Sequence, residues 1–194
     1  MLDFFHWNSK IELNYETPFQ LLVAVIMSAQ TTDKQVNKVN LEFFKVLKEP
    51  SDVKKLWVEW IKNYINSIWF FNNKAKFIYE TGIILERDFN SIIPRDIKIL
   101  TSLPWVWVKT AKVVLSNLYN QPYIAVDTHV HRVLNRLWVV KTKLPEQTDV
   151  KIDKVFNDEI KLKLHHNLVL FWRYHCKARS PECWKCELRE ICGY

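Results

Sequence analysis

Apolar residues recur at helical spacing along almost the whole chain. Phe19, Leu22, Val23 and Ile26 fall on one helix face, opened by Thr17-Pro18-Phe19-Gln20. Threonine there is an N-cap, proline suits the first helical position, and glutamine three residues past the cap completes a capping box. Thr32-Asp33-Lys34-Gln35 repeats the signal, and Val36, Val39, Phe43 and Leu47 carry a second stripe. Pro50 closes that helix. Shorter helices are predicted over 51–56 and 58–68, and a longer one to Phe89 after a loop over 69–75. Pro94 opens a short helix through Leu100. Ala111, Val114, Leu115 and Leu118 then share one face, as do Val130, Val133, Leu134 and Leu137. Residues 148–162 read as one amphipathic helix, and 167–175 as a more apolar, buried segment. Tyr123–Val126 is a short apolar run, but a lone strand has nothing to pair with. The pattern predicts an all-α protein of about ten helices.

Composition sharpens this in two ways. The 194 residues allow one or two domains with a sizeable core, and the formal net charge of +7 points to a polyanionic partner. No run of 18 apolar residues suggests a membrane span, and MLDFFHWNSK lacks the basic-then-apolar order of a secretory signal. A reducing cytosol is therefore expected, where four cysteines serve as ligands rather than disulfides. The second point is an imbalance. Average usage predicts roughly 14 glycines in this length. The chain has 2, against 9 tryptophans.

Two stretches carry chemistry. Cys176, Cys183, Cys186 and Cys192 form C-x6-C-x2-C-x5-C within the last 19 residues. Zinc modules usually pair two knuckles across a longer segment, whereas four thiolates in one short loop suit an iron–sulfur cube. Spacing alone favours iron–sulfur and leaves zinc open. The loop between the first two cysteines carries Lys177 and Arg179, placed to meet phosphates or simply to be solvated. The other stretch is LPWVWVKTAKVVLSNLYNQPYIAVDTHVHRVLNR, residues 103–136. It sets Lys109 at one helix start and Asp127 at the next. A lysine amine becomes a nucleophile only when neutral, a state favoured by burial and by the positive end of a helix. Lys112, three residues on, is expected nearer the surface. Asp127 is a natural N-cap, a role compatible with chemistry.

LPxVxxKTA followed by VDTH, with the cysteine spacing after it, resembles the endonuclease III family of helix-hairpin-helix DNA glycosylases. The resemblance runs from about Ile11 to the C-terminus. It implies a two-lobed all-α fold: a helical barrel over 11–121, and a cluster domain of 1–10 plus 122–194. It implies a [4Fe–4S] cluster on the four cysteines. It also implies a monomeric, bacterial-type, nucleoid-associated cytoplasmic enzyme acting on double-stranded DNA with damaged bases or abasic sites. Lys109 would form a Schiff base and Asp127 would stabilise charge at the sugar. SAQTTD resembles the family's SAQxTD segment, so Gln30 would enter the duplex where a base has left, with Phe70 at a second wedge. Main-chain groups of Trp105, Val106 and Trp107 would hold a phosphate. The expected activity is a glycosylase/AP lyase for oxidised pyrimidines. The alternatives are a monofunctional mismatch or adenine glycosylase, or a non-catalytic iron–sulfur DNA-binding protein.

One departure stands out. Trp57, Trp60, Trp69, Trp105, Trp107, Trp138, Trp172 and Trp184 all fall where the family pattern has glycine, while Trp7 lies outside the matched region. Glycine permits positive φ and close backbone approach, and tryptophan permits neither. Two origins are open: a host that reads UGA as glycine, with UGA rendered here as tryptophan, or a genuinely tryptophan-rich variant that has lost activity.

Overall fold

The computed structural model describes residues 11–194; the first ten residues, including Trp7 and the N-terminal share of the expected cluster domain, lie outside them. Nine α-helices account for the regular structure among the described residues, with three short 3₁₀ turns and no strand. The chain divides into two compact units, Glu12–Tyr119 and Asn120–Tyr194, with Ile11 grouped with the second.

The first unit is built around α1 (Pro18–Ser28). Every residue from Phe19 to Met27 is buried, so this helix is apolar all round rather than on one stripe. α1 packs against α2 (Asp33–Val46), α4 (Phe71–Phe89) and α6 (Val108–Tyr119). Its predicted capping box is present: the Gln20 amide donates to Thr17 Oγ1 at 3.2 Å, and the Thr17 amide to Gln20 Oε1 at 3.3 Å. Gln20 is itself buried, because its Nε2 donates to the carbonyls of Phe44 and Leu47 and so closes the end of α2. Val36, Val39, Phe43 and Leu47 are buried as expected. Thr32 caps α2 through the Gln35 amide, but the Gln35 side chain goes to Ser67 Oγ at 2.7 Å, so the reciprocal half of a box is not made.

The expected break between two helices falls at Trp57: α3 (Val53–Ile65) is two helical segments joined across a kink there, where φ of 53° and ψ of 162° are not helical. Two other boundaries differ from expectation. α5 (Ile97–Thr101) begins after Asp96 rather than at Pro94, because the Asp96 carboxylate accepts from the Lys98 and Ile99 amides. The segment 148–162 is not one helix. α8 (Pro145–Val155) ends before Asn157, which caps α9 (Asp158–Tyr174) through the Ile160 amide.

The second unit packs α7 (Thr128–Arg136) against α8 and α9. Its core holds Ile124, Val130, Val133, Leu134, Val140, Ile152, Leu168, Phe171 and Leu188. Leu137 packs only partly against it. Tyr123–Val126 is an extended approach to α7, not a strand.

Candidate active site and cysteine loop

In the first unit, α5 and α6 are joined by a tight turn. The Leu103 amide donates to Leu100, the Val106 amide to Leu103 at 3.2 Å, and the Ala111 amide to Trp107 at 2.9 Å. Trp105 has φ of 61°. Its ring stacks on Phe77 at 4.7 Å and meets Trp107 edge-on. Val106 is buried and its amide donates to the Leu103 carbonyl. Trp107 and Lys109 are exposed. Lys109 stands in the first turn of α6, as expected. Lys112 is the buried lysine of that helix, opposite to expectation. Asp33, at the start of α2, interacts electrostatically with Lys109: burial raises its carboxyl above the ordinary range, and the Lys109 charge offsets only part of that rise.

Two further loops of this unit are tied to each other. Gln30 and Phe70 are both exposed and both left-handed, with φ of 59° and 56°. Phe70 is therefore no core residue. The Trp69 amide donates to Thr31 Oγ1 at 3.3 Å. Lys74, one turn into α4 and buried, donates to Met27 O at 2.8 Å and Ala29 O at 2.6 Å. Burial lowers its pKa to about 8. Sequence reasoning missed Lys74. The available signal was a lysine on the buried stripe of Ala75, Ile78, Thr81 and Leu85.

In the second unit, Asp127 caps α7: its Oδ1 accepts from the His129 amide at 2.9 Å and the Val130 amide at 2.8 Å. The segment before it is held by His165, a buried residue with no role assigned from sequence, whose Nδ1 accepts from the Ala125 amide at 3.3 Å. His129 stacks on Trp172 at 3.9 Å.

The four cysteines line one cavity of about 160 Å³, with Arg136 and Phe171 among its walls. Among the described residues, no three His, Cys, Asp or Glu side chains converge as a site for a single metal ion. Burial, and then the neighbouring thiols, push the Cys186 thiol up. A soft-ligand set of four clustered thiols fits a group that is bound by thiolates and offsets their mutual repulsion. α7 supplies the scaffold. Arg132 Nη2 donates to Cys176 O at 2.7 Å, and Arg136 Nη1 donates to Cys176 Sγ at 3.3 Å and Lys177 O at 3.0 Å. The Arg136 guanidinium also covers the Tyr194 ring at 3.7 Å. Both arginines therefore brace the loop. Lys177 pairs with Glu182 at 3.1 Å, and Lys185 pairs with the same carboxylate, holding it down to about 2. Arg179 is exposed.

The first unit thus holds two helices joined by a tight turn with a lysine after it, and the second holds a loop of four cysteines. The family model described as "HhH-GPD superfamily base excision DNA repair protein" matches residues 23–158. The chain is 43% identical over 183 residues to endonuclease III of Escherichia coli K12, covering 94% of this chain and 87% of that one. It is 39% identical over 189 residues to endonuclease III of Bacillus subtilis, covering 95% and 85%. A solved structure of a trapped endonuclease III–DNA covalent intermediate matches with a TM-score of 0.90 at 38% identity, covering 96% and 88%. A thermostable thymine-DNA glycosylase, 23% identical, shares the fold with a TM-score of 0.88, covering 100% of this chain and 92% of that one. The chain belongs to the HhH-GPD superfamily of base excision repair proteins. Within it, the chain is an enzyme of the endonuclease III kind, a DNA glycosylase/AP lyase.

Proposed function

We propose that this enzyme removes oxidised pyrimidines from duplex DNA, acting as a monomer with Lys109 as nucleophile, and then cleaves the strand 3′ to the vacated sugar. The observation that carries this reading is Lys109 in the first turn of α6, exposed directly after the hairpin and electrostatically coupled to Asp33. The target nucleotide leaves the stack first, and Gln30 and Phe70, exposed on their tethered loops, fill the vacancy. The Lys109 amine then forms a bond to C1′, and the base departs with the electron pair of the glycosidic bond. Asp127 offsets positive charge developing on the sugar while keeping its hydrogen bonds to α7. The ring opens to a protonated Schiff base. Loss of a 2′ proton lets the C3′–O bond break, and the 3′ phosphate leaves. Water then hydrolyses the Schiff base and regenerates Lys109.

Cys176, Cys183, Cys186 and Cys192 would hold a [4Fe–4S] cluster, which supplies a covalent cross-link of their loop rather than a reaction step. Arg132 and Arg136 hold the loop backbone against α7, leaving Arg179 exposed toward a phosphate. A monofunctional relative would need no lysine at 109. The test is a duplex with one oxidised pyrimidine. Base release together with strand cleavage supports this reading. Base release with an intact strand supports the monofunctional one, and binding to an abasic duplex with neither event supports a non-catalytic binder.

A further inference from the structure

Tryptophan carries the largest side chain and is normally well buried. In this chain Trp57, Trp60, Trp69, Trp107, Trp138 and Trp184 are each 60–78% exposed. Trp57, Trp105 and Trp138 have φ of 53°, 61° and 55°. A bulky residue in that region is an outlier, because its Cβ clashes with the backbone. The two glycines, by contrast, have no positive φ. The residue best able to adopt the strained turns is absent from them, and the residue least suited occupies three. Trp57 sits at the break inside α3, Trp105 in the hairpin before α6, and Trp138 just past the end of α7. Each is a place where a chain reverses or kinks and where glycine is the default.

The side chains there do little that would justify the strain. The indole N–H groups of Trp105 and Trp172 are buried without a hydrogen-bond partner. The Trp138 indole lies so close over Gly193 that any side chain at 193 would overlap it. Independent mutations would not select one residue type for positions with a common backbone demand. A single cause acting on a codon would. UGA is one base from the glycine codon GGA, and it specifies tryptophan in some genetic codes.

We infer that the native host decodes UGA as glycine, and that its protein carries glycine at 57, 60, 69, 105, 107, 138, 172 and 184. Backbone strain carries the assignment at 57, 105 and 138. Exposure carries it at 60, 69, 107 and 184. Position 172, whose ring stacks on His129, rests on its unpartnered indole N–H and on falling in the same set. The consequence for function is local. With glycine at 105 and 107, the turn before α6 loses two indoles, and its backbone can approach an anion at the helix N-terminus.

Two measurements test this. Peptide mass spectrometry on protein from the native host reads the residues directly. Glycine at all eight positions, with UGA codons in the gene, is the expected result; tryptophan at 57, 105 or 138, or UGG codons there, overturns the inference. A recombinant pair tests the physical premise without reference to activity. Trp57→Gly/Trp138→Gly should raise Tm above that of the tryptophan form, and an unchanged or lower Tm would mean that the strain is not real. Neither result depends on Lys109 being the nucleophile, so the functional reading can fail while this one stands.

Discussion

The ammonium of Lys74 donates to the carbonyl oxygen of Ala29 at 2.6 Å, across 45 residues of chain. The same nitrogen reaches Met27 O. One buried cation thus fixes the end of α1 and the approach to Gln30, from a helix whose N-terminus carries Phe70. The two exposed residues proposed to fill the vacated duplex ride on segments that this lysine fastens together.

That fastening gives a pH signature. The folded pKa of Lys74 lies near 8, below its ordinary value of 10.5. Between those values the unfolded chain binds the extra proton, so stability should rise with pH from about 8 to 10.5. The desolvation penalty is fully present below pH 8. Lys74→Met should remove this rise in denaturation midpoints. It should also speed hydrogen exchange at residues 28–31, whose carbonyl anchors are lost, at a cost of about 1–3 kcal/mol for the unsatisfied groups.

Substitution can separate the cap that Asp127 makes on α7 from its proposed role at the sugar. Asparagine can still accept the His129 and Val130 amides, so Asp127→Asn should leave Tm nearly unchanged. It should lower turnover on the order of a hundredfold, the scale of losing one electrostatic stabiliser. Asp127→Ala should lose activity and also about 1 kcal/mol of stability through the missing cap. Thermal melts alongside base-release rates would show the split.

The cysteine loop leans on α7. Arg136→Ala removes contacts to Cys176 Sγ and to the Lys177 carbonyl. With the proposed cluster in place, faster loss of iron and of visible absorbance under mild oxidation is expected, with the α7–α9 core intact by circular dichroism. Complete removal of the proposed cluster should lower Tm, since binding to the folded state alone stabilises it.

The hairpin gives a binding prediction. Trp105→Gly/Trp107→Gly should tighten binding to abasic duplex by about tenfold, or ~1.4 kcal/mol. Affinity of both forms should fall steeply with salt, because phosphate contacts release counterions. Fluorescence anisotropy across a salt series measures both effects.

Much of this was legible in the sequence where the determinant is local. The Thr17–Gln20 box, the Asp127 cap and the stripe Val36–Val39–Phe43 all depend on residues within a turn or two of each other. The extra break at Asn157 was equally local but hidden, because one asparagine within a charged stretch reads as surface. Long-range partners were out of reach. Nothing near Lys74 signals carbonyls 45 and 47 residues away, and nothing near His165 signals the Ala125 amide. Lys112 and Lys109 differ by three positions on one helix, and the packing of α6 against its neighbours, α1 and α5, decides which is covered. The gathering of the four cysteines around one cavity was readable from their spacing, but the bracing of their loop by Arg132 and Arg136 was not.

The most direct measurement is borohydride trapping on a duplex with a single abasic site, followed by peptide mapping of the cross-link. The expected result is one covalent adduct, carried on Lys109 and absent from Lys109→Ala, which still binds the duplex. A cross-link that maps to another residue, or one that persists in Lys109→Ala, would contradict Lys109 as the nucleophile.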